Sequence, residues 1–240
     1  MKTDPANLMT LLELQSLDTA LDQVKHKAKS LPVHGVIADL MRRHGSVKDD
    51  LVAAQTERSD AAAAARRAEA DVVPVRERLT RNQARVDSGE MTAKALSSAI
   101  DEIEHLKQRV SDLEDAQLEA MEALDLATAH VGQMSEQVEE IEQEVREQLA
   151  SRDAAVAELS AKANDLSSAR TAKASQVPQP LLALYDKIRA RNNGVAVAKF
   201  DGRRCQGCGL EATVADINRY LSAPSDEVIR CAECDRILVR

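Results

Sequence analysis

Apolar side chains recur at alternating spacings of three and four residues through most of the first 175 positions of the chain. Three series follow this spacing, over residues 14–31, 37–79 and 96–145. Such spacing places one apolar stripe along a helix, and heptads sustained over many turns are typical of coiled coils. We therefore predict a mainly α chain with helices far longer than those of an ordinary globular domain.

A turn signal separates the two longer series. Residues 87–90 read Asp-Ser-Gly-Glu, and the glycine suits the positive φ that ends a helix. Reversal of the chain at this point predicts a long antiparallel coiled-coil hairpin, in which Leu79 lies opposite Ala99 and Ile37 lies opposite Ile141. Apolar seam positions then face one another along both arms.

Prolines bound the other helical segments. Pro32 interrupts the first arm, whose initial helix is expected to place Leu17 opposite Leu159. Pro178 and Pro180 cannot continue the long second helix, which therefore ends just before them. The predicted helices cover residues of about 5–31, 33–87 and 91–175. The predicted domains are a coiled coil over residues 1–175 and a second domain over residues 176–240, which holds a short helix and short β-strands.

Composition limits what the first part of the chain can be. The aromatic residues are Tyr185, Phe200 and Tyr220, and there is no tryptophan, so a compact sandwich or α/β fold is excluded before them. Residues 176–240 carry ten basic and eight acidic side chains, while the rest of the chain has 22 basic and 32 acidic ones. No long apolar run or signal-peptide pattern is present, so we expect a cytoplasmic protein that does not enter membranes.

Four cysteines stand in two close pairs near the C-terminus, as Cys205-Gln-Gly-Cys208 and Cys231-Ala-Glu-Cys234. Two intervening residues let a tight turn present both thiolates of a pair to one cation, with backbone N–H groups directed at the sulfurs. Four thiolates complete a tetrahedron and leave no open position, which predicts one structural zinc ion. Two disulfides, or an iron site with the same ligands, are the alternatives.

Glycine supports these turns. Gly207 and Gly209 are expected to supply the unusual backbone angles of the first pair. Asp235 stands where a glycine would fit more easily after the second pair, which predicts local backbone strain.

The chain resembles a family of bacterial proteins with an N-terminal coiled coil and a C-terminal four-cysteine zinc ribbon. The likeness rests on Leu-Leu-Ala-Leu-Tyr-Asp-Lys-Ile-Arg from Leu181, Gly-Val-Ala-Val-Ala from Gly194, and the residues around both cysteine pairs. The opening Leu-Leu-Glu-Leu-Gln-Ser-Leu-Asp is similar too, although Asp235 replaces the family's usual glycine. The resemblance implies that the four cysteines bind zinc.

The same resemblance implies a regulatory role. Studied members of that family act as adaptors or chaperones that bind the alternative sigma factor of flagellar genes, proteins of flagellar or type III export and, in one branch, a flagellin messenger RNA. We therefore expect a non-enzymatic adaptor that binds other proteins through its zinc-bearing end. The sequence contains no phosphate-binding glycine loop, paired nucleophile or open metal site that would indicate an enzyme or a small-molecule substrate.

A regulator that binds RNA or DNA is the alternative. Its contacts would be basic residues of the C-terminal domain, with the three aromatic side chains as a stacking platform for bases. The basic candidates are Lys187, Arg189, Arg191, Lys199, Arg203 and Arg204.

Overall fold

The computed structural model describes residues 1–240. Its elements in chain order are α1 (Pro5–Lys29), α2 (Val33–Asp87), α3 (Ala93–Ala174), α4 (Gln179–Arg191), β1 (Val197–Lys199), α5 (Val214–Ser222), β2 (Ile229–Arg230) and β3 (Ile237–Val239). Long coiled-coil helices, short C-terminal strands and clustered cysteines confirm the predicted mainly α fold class. No helix combines the length and the apolar character needed to cross a membrane.

The chain forms two compact units, residues 35–149 and residues 1–34 with 150–240. This division differs from the predicted boundary at residue 175, because α1 and the end of α3 pack with the C-terminal segment. The physical reason is a shared apolar core in which Leu11 and Leu14 of α1 cluster with Leu181 and Tyr185 of α4. The predicted coiled-coil domain, residues 1–175, contains all of α1 and no part of this core from α4.

Residues 35–149 fold as the predicted hairpin. The α2 helix ends at the expected turn, where Gly89 has a φ of +70°. Near this turn Arg78 pairs with Glu102 across the two helices, which fits the predicted neighbours Leu79 and Ala99. The α2 helix runs without interruption through Pro74.

The predicted pairing fails farther from the turn. His44 Nε2 lies 3.3 Å from Glu142 Oε1, whereas the predicted alignment places His44 opposite Met134. Glu57 likewise approaches His130. Arg76 likewise pairs with Glu114, whereas the predicted alignment places it opposite Glu102. The contacts beyond Arg78 are therefore displaced from the predicted alignment by about one heptad or more. A heptad pattern matches itself after every seven residues, so the pattern alone does not select between such alignments.

The same correction applies to α1. Arg170 Nε lies 3.2 Å from Asp18 Oδ1, and Lys173 Nζ lies 2.6 Å from Glu13 Oε2. These contacts are incompatible with the predicted alignment of Leu17 with Leu159. Ion pairs near the end of α3 accompany this alignment, and the apolar spacing does not reveal them.

A small sheet organises the C-terminal segment. Its strand order is β1-β3-β2, with β1 parallel and β2 antiparallel to β3. One face packs on α1 and α4, and the other packs with the cysteine loops and α5. The α5 helix was not predicted. It is capped by Thr213, whose Oγ1 accepts a hydrogen bond from Asp216 N at 3.2 Å, and it buries Tyr220.

Candidate metal centre

The first cysteine pair lies on a tight loop that follows β1. Cys205 N donates to the carbonyl of Leu210 at 3.1 Å, and Gly209 N donates to the carbonyl of Cys205 at 2.8 Å. Gly209 has the expected positive φ, at +77°, but Gly207 does not. Space requires Gly207 instead, because a Cβ atom there would lie 2.6 Å from Arg236 Cδ. The reason predicted for Gly207 was therefore wrong.

The second pair repeats this loop after β2. Cys231 N donates to the carbonyl of Arg236 at 2.9 Å, and Asp235 N donates to the carbonyl of Cys231 at 3.0 Å. Asp235 corresponds to Gly209 and has a φ of +62°, which confirms the predicted strained position. Its carboxylate accepts a hydrogen bond from Arg230 Nε at 2.6 Å. The side chain thus gains one partner in a backbone conformation that favours glycine.

The two loops bring the four sulfur atoms together. All four Sγ atoms lie within 4.8 Å of one another, and the cysteines are free thiols. Cys205 Sγ is 3.9 Å from Cys234 Sγ, and Cys208 Sγ is 4.0 Å from Cys231 Sγ. Four sulfurs at about 2.3 Å from a tetrahedral ion lie about 3.8 Å apart. The cluster therefore has the dimensions to hold one metal ion.

Burial acts strongly on these thiols. It raises the pKa of Cys205, and it raises the pKa of Cys231 to about 12. Burial also disfavours the thiolate of Cys234, but hydrogen bonds with the backbone and side chain of Arg236 and with the thiols of Cys231 and Cys208 together outweigh it, so the pKa of Cys234 is lowered. A metal dication at the centre would supply the charge that keeps the buried thiolates deprotonated near neutral pH.

Comparison with known proteins adds the family. Residues 14–193 match the CT398-like coiled coil hairpin domain. The chain belongs to this CT398-like family. The uncharacterized protein MT2288 of Mycobacterium tuberculosis is 29% identical over 240 residues, which cover 100% of this chain and 98% of that protein. ML1638 of Mycobacterium leprae is 26% identical over 228 residues, covering 93% and 96%.

Solved structures share the CT398-like fold over nearly the whole chain. A protein from Mycobacterium smegmatis superposes with a TM-score of 0.85 at 31% identity and covers 100% of both chains. CT398 of Chlamydia trachomatis gives a TM-score of 0.54 at 18% identity, with 97% of each chain covered. HP0958 of Helicobacter pylori gives 0.52 at 14%, covering 97% and 96%. The last two likenesses concern the fold alone.

The basic residues predicted as partner or nucleic-acid contacts differ from one another in solvent exposure and in ion pairing. Arg189 donates to Asp22 Oδ2 at 2.6 Å and is only partly exposed. Arg204 pairs with Glu211 at 3.0 Å. The other four side chains are exposed to solvent: Lys187, Arg191, Lys199 and Arg203.

The three aromatic side chains are all in the core. Tyr185, Phe200 and Tyr220 are 0%, 7% and 1% exposed. Phe200 and Tyr220 meet edge to face, with ring centroids 5.3 Å apart, and Tyr220 Oη accepts a hydrogen bond from Ala232 N at 2.9 Å. The predicted stacking platform for bases is therefore absent, because Phe200 and Tyr220 pack around the cysteine loops and Tyr185 packs in the core with α1.

A buried charged cluster around Asp18 was not predicted from the sequence. Asp18 is 2% exposed and accepts a hydrogen bond from Tyr185 Oη at 2.7 Å and another from Arg170 Nε. Burial and the bond to Asp18 raise the pKa of Tyr185. Burial alone would lower the pKa of Arg170, but Asp18 and Asp186 outweigh it and raise that pKa. No local sequence pattern marks this cluster, because Asp18 lies more than 150 positions from both Arg170 and Tyr185.

Proposed function

We propose that Cys205, Cys208, Cys231 and Cys234 hold one structural zinc ion, and that the protein is a non-enzymatic adaptor that binds other proteins through its zinc-bearing segment. The observation that carries this proposal is the convergence of four sulfur atoms within 4.8 Å of one another. Four protein thiolates fill a tetrahedral zinc site, so no position remains for water or substrate. Zinc in such a site stabilises the fold and performs no chemistry.

Metal analysis of the purified full-length protein tests the first half of the proposal. We expect one zinc ion per chain by native mass spectrometry, and a loss of ordered structure around the loops on chelation, since zinc contributes about 10–16 kcal/mol to small zinc domains. A Cys205→Ser, Cys208→Ser variant should bind none. Bound iron, or a metal-free protein with unchanged thermal unfolding, would refute the zinc site.

Exposed apolar side chains on α5 and in the segment before it support the adaptor half. Val214 and Leu221 are 76% and 59% exposed on α5, and Leu210 is 53% exposed in the preceding segment. Val214 and Leu221 stand seven positions apart and therefore share one helix face. Exposed apolar residues grouped in this way are typical of protein contact surfaces.

The adaptor test uses capture of proteins by the full-length chain. A Val214→Glu, Leu221→Glu variant places two charges on the apolar face, and an Ala215→Glu, Ser222→Glu variant places two charges at equal spacing on a neighbouring exposed face. We expect proteins retained by the wild type and the control to be lost by the first variant, with zinc content unchanged. Equal retention by both variants would refute the surface.

Nuclease treatment of the same lysate separates the nucleic-acid alternative. Capture that disappears after nuclease, and that falls when Arg203 becomes Glu, would favour RNA or DNA binding and overturn the protein-binding adaptor. The burial of all three aromatic rings argues against that outcome, since base stacking supplies about 1–3 kcal/mol per base in such proteins.

A further inference from the structure

Arg236 holds an unusual place beside the cysteine loops. It follows Cys234 by two residues, and its side chain crosses to the first loop, where its Cδ occupies the space that a side chain at Gly207 would need. Its Nε donates to the carbonyl of Val195 at 3.0 Å, and its Nη2 donates to the carbonyl of Asn192 at 3.2 Å. The guanidinium is therefore fixed between the metal loops and the turn that follows α4.

The negative charge expected at the candidate metal centre gives the guanidinium of Arg236 an electrostatic role. Four thiolates with one zinc ion carry a net charge of about −2, and such sites depend on surrounding hydrogen-bond donors. Arg230 is paired with Asp235, and Arg204 is paired with Glu211. Arg236 alone among these arginines has no carboxylate partner within ion-pair distance, and its side-chain donors bond to the carbonyls of the adjoining turn while its Cδ packs against the first loop.

We propose that Arg236 is a positioning residue of the metal centre, whose guanidinium compensates the charge of the zinc-bound thiolates while it clamps turn 192–195 against the loops. This inference rests on the metal-binding part of the proposed function.

The clamp extends beyond the metal loops. Gln15 Nε2 on α1 donates to the carbonyl of Gly194 at 2.8 Å, and Gln15 Oε1 accepts from Ala196 N at 2.6 Å. The turn held by Arg236 is thus the turn that receives the buried amide of Gln15 from α1. Through this turn, order at the metal centre stabilises the packing of α1.

The experiment compares Arg236→Gln and Arg236→Lys with Arg203→Gln in the full-length protein. Arg203→Gln removes one exposed charge close to the same loops and serves as the matched control. Zinc affinity is measured by competition with a chromophoric chelator, and the sulfur-to-cobalt charge-transfer bands are recorded after cobalt substitution. We expect Arg236→Gln to lower zinc affinity by about 10–100-fold and to shift the bands.

Arg236→Lys keeps the charge but loses the planar fork of donors, so we expect it to restore part of the affinity. Equal affinities and bands for Arg236→Gln and Arg203→Gln would overturn the inference, as would a loss of stability with unshifted bands, because a merely structural role predicts that result. If Arg236→Gln does not fold, an Arg236→Lys protein identical to wild type in both measurements overturns it. Absence of zinc binding by the wild type would instead refute the proposed function.

Discussion

Asp18 is the buried charge that joins α1 to α3 and α4, so its replacement by asparagine is a sharp test of the packing. Its carboxylate accepts hydrogen bonds from Tyr185 Oη at 2.7 Å and Arg170 Nε at 3.2 Å, and Arg189 Nε lies 3.4 Å away. Asp18→Asn keeps the shape of the side chain. It removes the negative charge shared by the two guanidinium groups and turns one acceptor into an N–H donor.

The expected cost follows from what remains around the two arginines. Removing one partner of a buried ion pair costs about 3–5 kcal/mol. Arg170 keeps Asp186 at 3.1 Å, and Arg189 keeps Asp22 at 2.6 Å, so neither charge is left alone. We therefore expect Asp18→Asn to lower the free energy of unfolding by about 2–4 kcal/mol.

Tyrosine fluorescence makes the measurement specific to this unit. The chain has two tyrosines and no tryptophan, and both tyrosines lie within residues 150–240. Urea unfolding followed by this signal reports the unit that contains Asp18, while circular dichroism reports all helices. Asp22→Asn is the matched control on α1, and its half-exposed carboxylate should cost less than about 1 kcal/mol. Costs for the two variants that agree within about 0.5 kcal/mol would refute the reasoning.

Three further predictions concern single residues. Gly207→Ala should lower the free energy of unfolding by about 1–3 kcal/mol, because the added methyl group clashes with Arg236. Gly132→Ala, in open space on α3, should raise it by about 0.5–1 kcal/mol. A change of the same sign for both variants in urea unfolding would contradict this. Asp235→Gly should raise the thermal unfolding midpoint of the zinc-loaded protein. Relief of the positive φ is worth about 1 kcal/mol, which exceeds the contribution of the exposed Arg230–Asp235 ion pair. A lowered midpoint would show that the ion pair contributes more than the backbone strain costs. Burial and then the bond to Asp18 raise the pKa of Tyr185, so the stabilisation that Tyr185 contributes is full below about pH 10 and is lost as pH rises above it, since only the unfolded chain releases the proton. Tyr185→Phe should make the alkaline fall of the urea midpoint shallower, and an unchanged fall would refute this.

The local backbone followed closely from local sequence. The turn at Gly89, the positive φ of Gly209 and the strained Asp235 were all predicted from residue type and position, because a turn is decided by a few adjacent residues. The meeting of the four cysteines also agrees with their spacing, since each pair lies on one loop. The α5 helix was missed because nine residues between two cysteine pairs carry too short a pattern to recognise.

The alignment of the long helices cannot be predicted from the local apolar pattern alone. Apolar heptads specify that helices pair and which face they bury, but they repeat every seven residues and fit several alignments equally well. The contacts of Asp18 with Arg170 and of His44 with Glu142 show which alignment each unit adopts. Such pairs join residues about 100 or more positions apart, and nothing in the neighbourhood of either residue identifies its partner.

The sequence by itself determined a mainly helical chain, its reversal at Gly89 and the pairing of four thiols, because each depends on periodicity or on spacing within a few residues. Tertiary structure alone decided that α1 packs with the C-terminal segment, that Gly207 is needed for space, and that Arg236 lies between the cysteine loops and turn 192–195. These features depend on which distant surfaces bury apolar area together. Burial is a property of the whole fold, and a linear pattern records only one side of each contact.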